Sequence, residues 1–293
     1  MHPSPEVFDL FAVPAHGEPI GGGQGHSVRA GDLVLSPGRD ARTATWLNPV
    51  LARLAASLDH EQPRALRIAM PIPTRDLRWV VDGWGASRFE PDARPCRDLD
   101  VLVATGRLLH AHLAEVVPQA PAELVAQSES SVGAESSPGD DGPTREDGPT
   151  REDGSAGHEP SATVNRWARA AHRTFSDDPP LGILGEDLAA EFAPADLGPD
   201  QLVHGDLAGN VLLDATGLPV VIDVAPYWRP ALWAEAVCVL DAVLWLGADP
   251  QAMDEWARGV RRQAMLRAAL FRLLSDPDPD VGSYRTLVSG VRG

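Results

Sequence analysis

The chain has 293 residues, is 43% hydrophobic and carries a net charge of −17, which fits one large domain or two lobes with a sizeable core. All 25 basic residues are arginine, which excludes a phosphate loop ending in Gly-Lys-Ser/Thr, a Schiff base and a lysine general base. The acidic balance argues against a nucleic acid or an anionic membrane as partner.

In chain order, the first feature is Gly21-Gly-Gly-Gln-Gly25. Gly22, Gly23 and Gly25 would let backbone N–H groups approach phosphates. Their spacing fits neither glycine-loop fingerprint, and a hairpin turn accounts for them equally well. Asp32–Ser36 reads as a strand between Gly31 and Pro37. Ala65–Pro71 and Arg78–Trp84 read as two more strands, separated by the turn-like Pro73-Thr-Arg-Asp76. Between them Leu47, Val50, Leu51, Leu54 and Leu58 recur at helical spacing. The pattern predicts a small α+β lobe.

After Pro95 the period becomes helical, with Leu99, Leu102, Gly106, Leu109, Leu113 and Val116 on one face. Residues 118–162 hold ten acidic residues against two arginines, and the hexapeptide GPTRED occurs twice in tandem. Such a composition cannot offset its ordering entropy and predicts a disordered, solvated insert. A helix near Val164–Phe175 follows, then a β region, Leu202–Val224. Helices at about Pro230–Leu246 and Gln251–Leu274 complete a larger, mostly helical lobe, ended by Asp276-Pro-Asp-Pro-Asp280. Cys96 and Cys238 match no metal or redox spacing and fit a reducing cytoplasm. No basic residue precedes Arg29, unlike a secretory signal. No apolar run reaches the roughly 18 residues of a membrane helix.

The chemistry concentrates in Leu202-Val-His-Gly-Asp-Leu-Ala-Gly-Asn-Val-Leu-Leu213, with Asp214-Ala-Thr-Gly217 as a turn and Pro219-Val-Val-Ile-Asp223 returning. Pairing Val211 with Ile222 and Leu213 with Val220 sets Asn210 opposite Asp223, with Asp206 four residues earlier. Two carboxylates and an amide oxygen then meet at one strand end. A magnesium ion takes oxygen ligands and keeps waters and substrate phosphates for the rest, so Asn210 and Asp223 suit the metal. Asp206 is left to accept a hydroxyl proton as that hydroxyl attacks phosphorus. Taken singly, each residue is better read as structural, Asp206 and Asn210 bonding a tight loop and Asp223 capping the next segment; it is their convergence that points to chemistry.

His204-Gly-Asp-Leu-x-x-Asn210 with Val-Ile-Asp223 resembles the aminoglycoside phosphotransferase-like kinases. The resemblance implies an α+β, two-lobed protein-kinase-like fold, with a small β-rich N-lobe at 1–86 and a larger, mainly helical C-lobe at 87–293. It makes Asp206 the catalytic base, Asn210 and Asp223 the magnesium ligands, and His204 a structural brace. Leu108-Leu-His110 resembles the helix leading into the large lobe. Gly83–Ser87 falls at the expected interlobe hinge, so Trp84 and Ala86 would meet the nucleotide base, and Ser36 stands where the family carries a phosphate-binding lysine.

Three features depart from that family. The gap from Asp206 to Asn210 is one residue short. The small-lobe lysine is absent, leaving Arg29 or Arg39 to lean in. The helix Ala41–Leu58 holds no glutamate to pair with such a lysine. Removing one preorganised donor costs about 2.7–4 kcal/mol of transition-state stabilisation. The expectation is therefore a weakened, cytoplasmic phosphotransferase that uses magnesium and ATP or GTP to phosphorylate a small-molecule hydroxyl. The alternative is a catalytically inactive kinase-fold module that binds nucleotide or protein. Tyr227-Trp-Arg-Pro230, Trp233, Trp245 and Trp256 follow the metal motif. Aromatic faces suit a cationic acceptor, although such residues also build cores. Asp241 and Asp254 are candidate pocket acids or solvated helix positions.

Overall fold

A computed structural model describes residues 2–20, 26–125 and 162–290. The glycine cluster at 21–25 and the acidic segment from 126 to 161 lie outside the described residues. The architecture is α+β, with a β-rich N-terminal region and a larger helical part.

Helix α1 (Pro5–Leu10) is capped by Ser4, whose hydroxyl accepts from the Val7 N–H at 3.3 Å. At six residues it is too short to show a period in the sequence. It packs Val7, Phe8 and the adjoining Phe11 on an antiparallel five-stranded sheet. That sheet runs β1 (Glu18–Pro19), β2 (Val28–Ala30), β3 (Leu33–Ser36), β6 (Gly85–Arg88) and β5 (Pro71–Ile72) in spatial order. The strand expected at Arg78–Trp84 begins later, at Gly85. Asp82 and Gly83 both take positive φ, 50° and 76°, and Val81 and Trp84 exchange backbone bonds across them. That is a tight hairpin turn, so Gly83–Ser87 is a turn and a central strand.

Helix α2 (Ala41–His60) starts at Asp40, whose carboxylate accepts from the Thr43 N–H at 2.7 Å. Its apolar stripe of Leu47, Leu51, Leu54 and Leu58 is buried, each leucine contributing about 1.5–3 kcal/mol. The stripe joins a core with Leu102, Leu109 and Leu113 of α3 (Leu99–Val116) and with Leu202, Leu207, Val211 and Val221. A second sheet binds early and late chain together: β4 (Arg67–Ile68), β10 (Pro219–Val221), β9 (Val211–Leu213) and β7 (Arg94–Pro95). The β4–β10 pair is parallel.

The helical part is built from α4 (Ala162–Thr174), α5 (Glu186–Glu191), α6 (Ala231–Asp241), α7 (Gly259–Ser275) and α8 (Val281–Ser289). The last begins just past Asp276–Asp280 and, like α5, was not expected from the sequence. The aromatic Tyr227-Trp-Arg-Pro230 lies in a strand, β11 (Pro226–Pro230), antiparallel to β8 (Asp200–His204). Among the described residues no helix is long and apolar enough to cross a membrane.

Candidate active site

The loop between β8 and β9 carries the candidate residues. Gly205 is fixed by its surroundings: a Cβ there would stand 2.4 Å from the Tyr227 ring. The β9–β10 hairpin closes through Asp214, whose Oδ1 accepts from the Thr216 and Leu218 N–H groups, with Gly217 at φ 86°. This turn sets Val211 opposite Val221 and Leu213 opposite Pro219. The expected pairing of Asn210 with Asp223 is therefore wrong by one residue. Asn210 faces Ile222, whose N–H donates to the Asn210 carbonyl at 2.9 Å. Asp223 lies one residue beyond, at φ 49°, a left-handed turn out of the ladder that costs an aspartate less than most residues.

His204 ties the two strand ends together. Its Nδ1 accepts from the Asp206 N–H at 3.2 Å and the Ala225 N–H at 3.3 Å. Accepting there makes the ring neutral with its proton on Nε2, which is buried without a hydrogen-bond partner. Burial lowers the His204 pKa, against the opposing charges of Asp206 and Asp223. Below it, the His204 N–H donates to His110 Nε2 at 3.1 Å. Burial, then the neighbouring His204, push His110 down to about 3. Two neutral histidines thus support the loop from inside. Gly106 admits α3 to this loop, since a Cβ there would meet Leu207 at 2.8 Å.

Asp206 and Asp223 remain open to solvent, with side chains 46% and 45% exposed. The Asn210 Nδ2 donates to the Asp206 carbonyl at 2.6 Å and reaches Asp206 Oδ2 at 3.4 Å. This leaves the Asn210 amide oxygen free to act as a metal ligand. Each carboxylate also holds an arginine. Arg272 Nη2 donates to Asp206 Oδ1 at 2.6 Å, while its Nε donates to Asp241 Oδ1 at 2.9 Å and its Nη2 to Asp241 Oδ2. Arg272 is 3% exposed and Asp241 0%. Burial raises Asp241 to about 7 against the pull of Arg272. The contacts to both of its oxygens still define an ion pair, and the two carboxylates outweigh burial in holding the Arg272 proton.

Arg39 Nη1 donates to Asp223 Oδ1. Burial opposes ionisation of Asp223, but the charge and hydrogen bond of Arg39 prevail and lower its pKa. The guanidinium shows that the half-exposed Asp223 carboxylate accepts a cation, and by donor type a carboxylate and an amide oxygen suit a hard ion such as magnesium. Among the described residues no group of three or more His, Cys, Asp or Glu side chains is placed to hold a metal. Any such ion would depend on the amide and on non-protein oxygens.

Other expected residues lie elsewhere. Ser36 Oγ hydrogen-bonds Ser27 Oγ at 3.1 Å. Trp84 is buried with Phe8 and Phe11. Ala86 pairs with Leu35 on one side and Ile72 on the other. Gly22, Gly23 and Gly25 lie outside the described residues. Trp233 and Trp256 are buried in the helical core, and Trp233 stacks edge-on with Tyr227, Phe175 and Phe271. Trp245 is exposed, 5.5 Å from the Arg272 guanidinium carbon. The rings thus meet one another and the chain's own arginine. Asp241 is buried, not solvated. Arg272 was not expected at the site, although an arginine within the apolar run Met265–Leu274 was the available signal.

No family model matches the chain, and no curated protein matches it. Among solved structures it is similar to the choline kinase LicA from Streptococcus pneumoniae. The identity is 13% over 98% of this chain and 96% of that one, with a TM-score of 0.43. A choline/ethanolamine kinase family protein from Mesorhizobium loti aligns at 18% identity over 97% and 91% of the two chains, also with a TM-score of 0.43. LicA in complex with AMP aligns at 14% identity over 94% and 90%, with a TM-score of 0.40.

Proposed function

We propose that the chain is a nucleotide-dependent phosphotransferase that moves a phosphoryl group to a hydroxyl of a small molecule. The observation that carries this reading is the grouping of Asp206, Asn210 and Asp223 around His204, with both carboxylates half open to solvent. In this reading residues 1–86 supply the nucleotide side and 87–293 the acceptor side of a kinase-like pair of lobes. The donor is ATP or GTP. Two free, buried cysteines suit a cytoplasmic setting.

Asn210 and Asp223 would hold magnesium, which when bound neutralises charge on the phosphates. Asp206 does the protein's own chemistry. Arg272 holds its Oδ1, leaving Oδ2 to accept the acceptor's proton as the new P–O bond forms and the nucleotide's terminal bridging P–O bond breaks. In a loose transition state the base mainly aims the nucleophile, so a carboxylate fixed by a buried arginine suffices. Arg272 lies within 6 Å of Trp167, Trp245 and Phe271, and Trp245 keeps an exposed surface that suits a cationic as well as a neutral acceptor.

Replacing Asp206 with Ala should cut transfer at least about 10³-fold, the scale set by losing a triad-type group, while nucleotide binding stays near wild type. Undiminished transfer would remove Asp206 from the mechanism. A second reading, a nucleotide-binding module without catalysis, is favoured by one observation: both carboxylates are paired with arginines. Magnesium-dependent nucleotide binding with no transfer to any polyol, sugar or amino alcohol would select it.

A further inference from the structure

The site is short of positive charge. A nucleoside triphosphate brings several negative charges to a surface that already offers Asp206 and Asp223, on a chain with a net charge of −17 and no lysine. Arg272 is buried and bonded to two carboxylates. Arg39 is different: its side chain is 33% exposed and reaches Asp223 from the loop between β3 and α2.

Its position is built in. The Arg39 N–H donates to the Gly83 carbonyl at 2.9 Å. Its stem lies on Gly85, where an added Cβ would come within 3.2 Å of the Arg39 Cγ. Gly38, at φ 72°, turns the chain just before it. The guanidinium is thus held over the loop from the sheet side, 184 residues away in sequence from its partner.

We infer that Arg39 is the phosphate-binding residue of this site and that it changes partners on binding. This rests on the phosphotransferase reading. In the free chain Arg39 neutralises Asp223. With a triphosphate and a divalent ion bound, Asp223 would hold the ion and the Arg39 guanidinium would turn to the phosphate oxygens, which it can match with two N–H donors. Each charge keeps an opposite partner before and after the exchange. Arg39 therefore weakens the site for a metal alone and strengthens it for a metal with phosphate.

Arg39→Ala should then shift two affinities in opposite directions. Calorimetry with a non-hydrolysable ATP or GTP analogue and magnesium should show binding weakened about 10- to 100-fold, the scale of one lost charged hydrogen bond. Binding of Mn2+ alone, followed by its electron spin resonance, should tighten several-fold. Arg39→Lys, which keeps the charge but loses the fork, should recover only part of the triphosphate affinity, and unchanged thermal melting controls for folding. Equal or tighter triphosphate binding by Arg39→Ala would make Arg39 a plug and overturn the inference while leaving the phosphotransferase reading in place. If the wild-type chain binds no triphosphate, the phosphotransferase reading itself fails and the inference goes with it.

Discussion

Arg272 lies at the C-terminal end of α7 in a run of apolar side chains, and it joins Asp206 at the surface to Asp241 in the interior. Removing one partner from such a pair strands the other charge and costs about 3–5 kcal/mol, whereas exchanging both for apolar groups can be nearly neutral. Arg272→Leu should therefore lose stability on that scale in urea melts, and Arg272→Leu with Asp241→Leu should regain most of it. A single variant as stable as wild type would mean that the pair carries little structural load. His110 gives a pH signature. Folded, it titrates near 3; unfolded, near its ordinary 6.5. Between those values the unfolded state binds the extra proton, so stability is present above 6.5 and lost as pH falls through that window, at about 1.4 kcal/mol per unit. Stability should drop between pH 7 and 5.5, and the slope should be shallower in His110→Gln; equal slopes would rule out His110 as the source. At this scale Asp206, Asn210, Asp223 and His204 were legible because residue type and spacing carried them. Arg39 was one of two arginines considered, and Arg272 stayed hidden because its partners lie 31 and 66 residues away in sequence.

Among the elements, the β9–β10 hairpin and the loop before it set the geometry of the site. The hairpin was legible from Asp214-Ala-Thr-Gly217, but its register was not. The Asp214 side chain closes a loop one residue shorter than the expected register allows, and a one-residue slip exchanges the faces of a strand. Asp223 still returns beside the loop, because its left-handed backbone bends the chain there. The strand expected at Arg78–Trp84 was misplaced for a related reason: Asp82-Gly83 is itself a hairpin signal, which starts the strand at Gly85. Gly205 is where packing and chemistry meet. Gly205→Ala would press a methyl group into the Tyr227 ring, which is held between Trp233 and Phe271. We expect a stability loss of about 1–3 kcal/mol from overpacking, with a fall in transfer as the Asp206 loop shifts. Wild-type melting and wild-type transfer together would show that the loop has slack.

At the scale of the whole molecule, the buried residues among those described form three clusters: the largest within the helical part, one running from Leu47 of α2 to Ala242, and a smaller one beneath the five-stranded sheet. The sequence suggested that α2 belongs with the small lobe, since helix and strands are neighbours along the chain. Its leucines pack with Leu66 and Ile68 beside β4 and also join α3 and the loop that carries Asp206. Only long-range packing decides this, so periodicity could reveal the helix but not its partner. Separate cores imply separate opening units. Amides of β2, β3 and β6 should exchange hydrogen sooner than those of β9, β10 and α3, and equally slow exchange in both sets would indicate a single cooperative unit. The central claim, a magnesium–nucleotide site at Asn210 and Asp223, is tested most directly by calorimetric titration of the wild-type chain and of Asp223→Asn with ATP and GTP, with and without magnesium. Saturable, magnesium-dependent binding of at least one nucleotide is expected, and it should be lost in Asp223→Asn. Absence of binding by the wild type under every condition, or binding indifferent to both magnesium and Asp223, would contradict it.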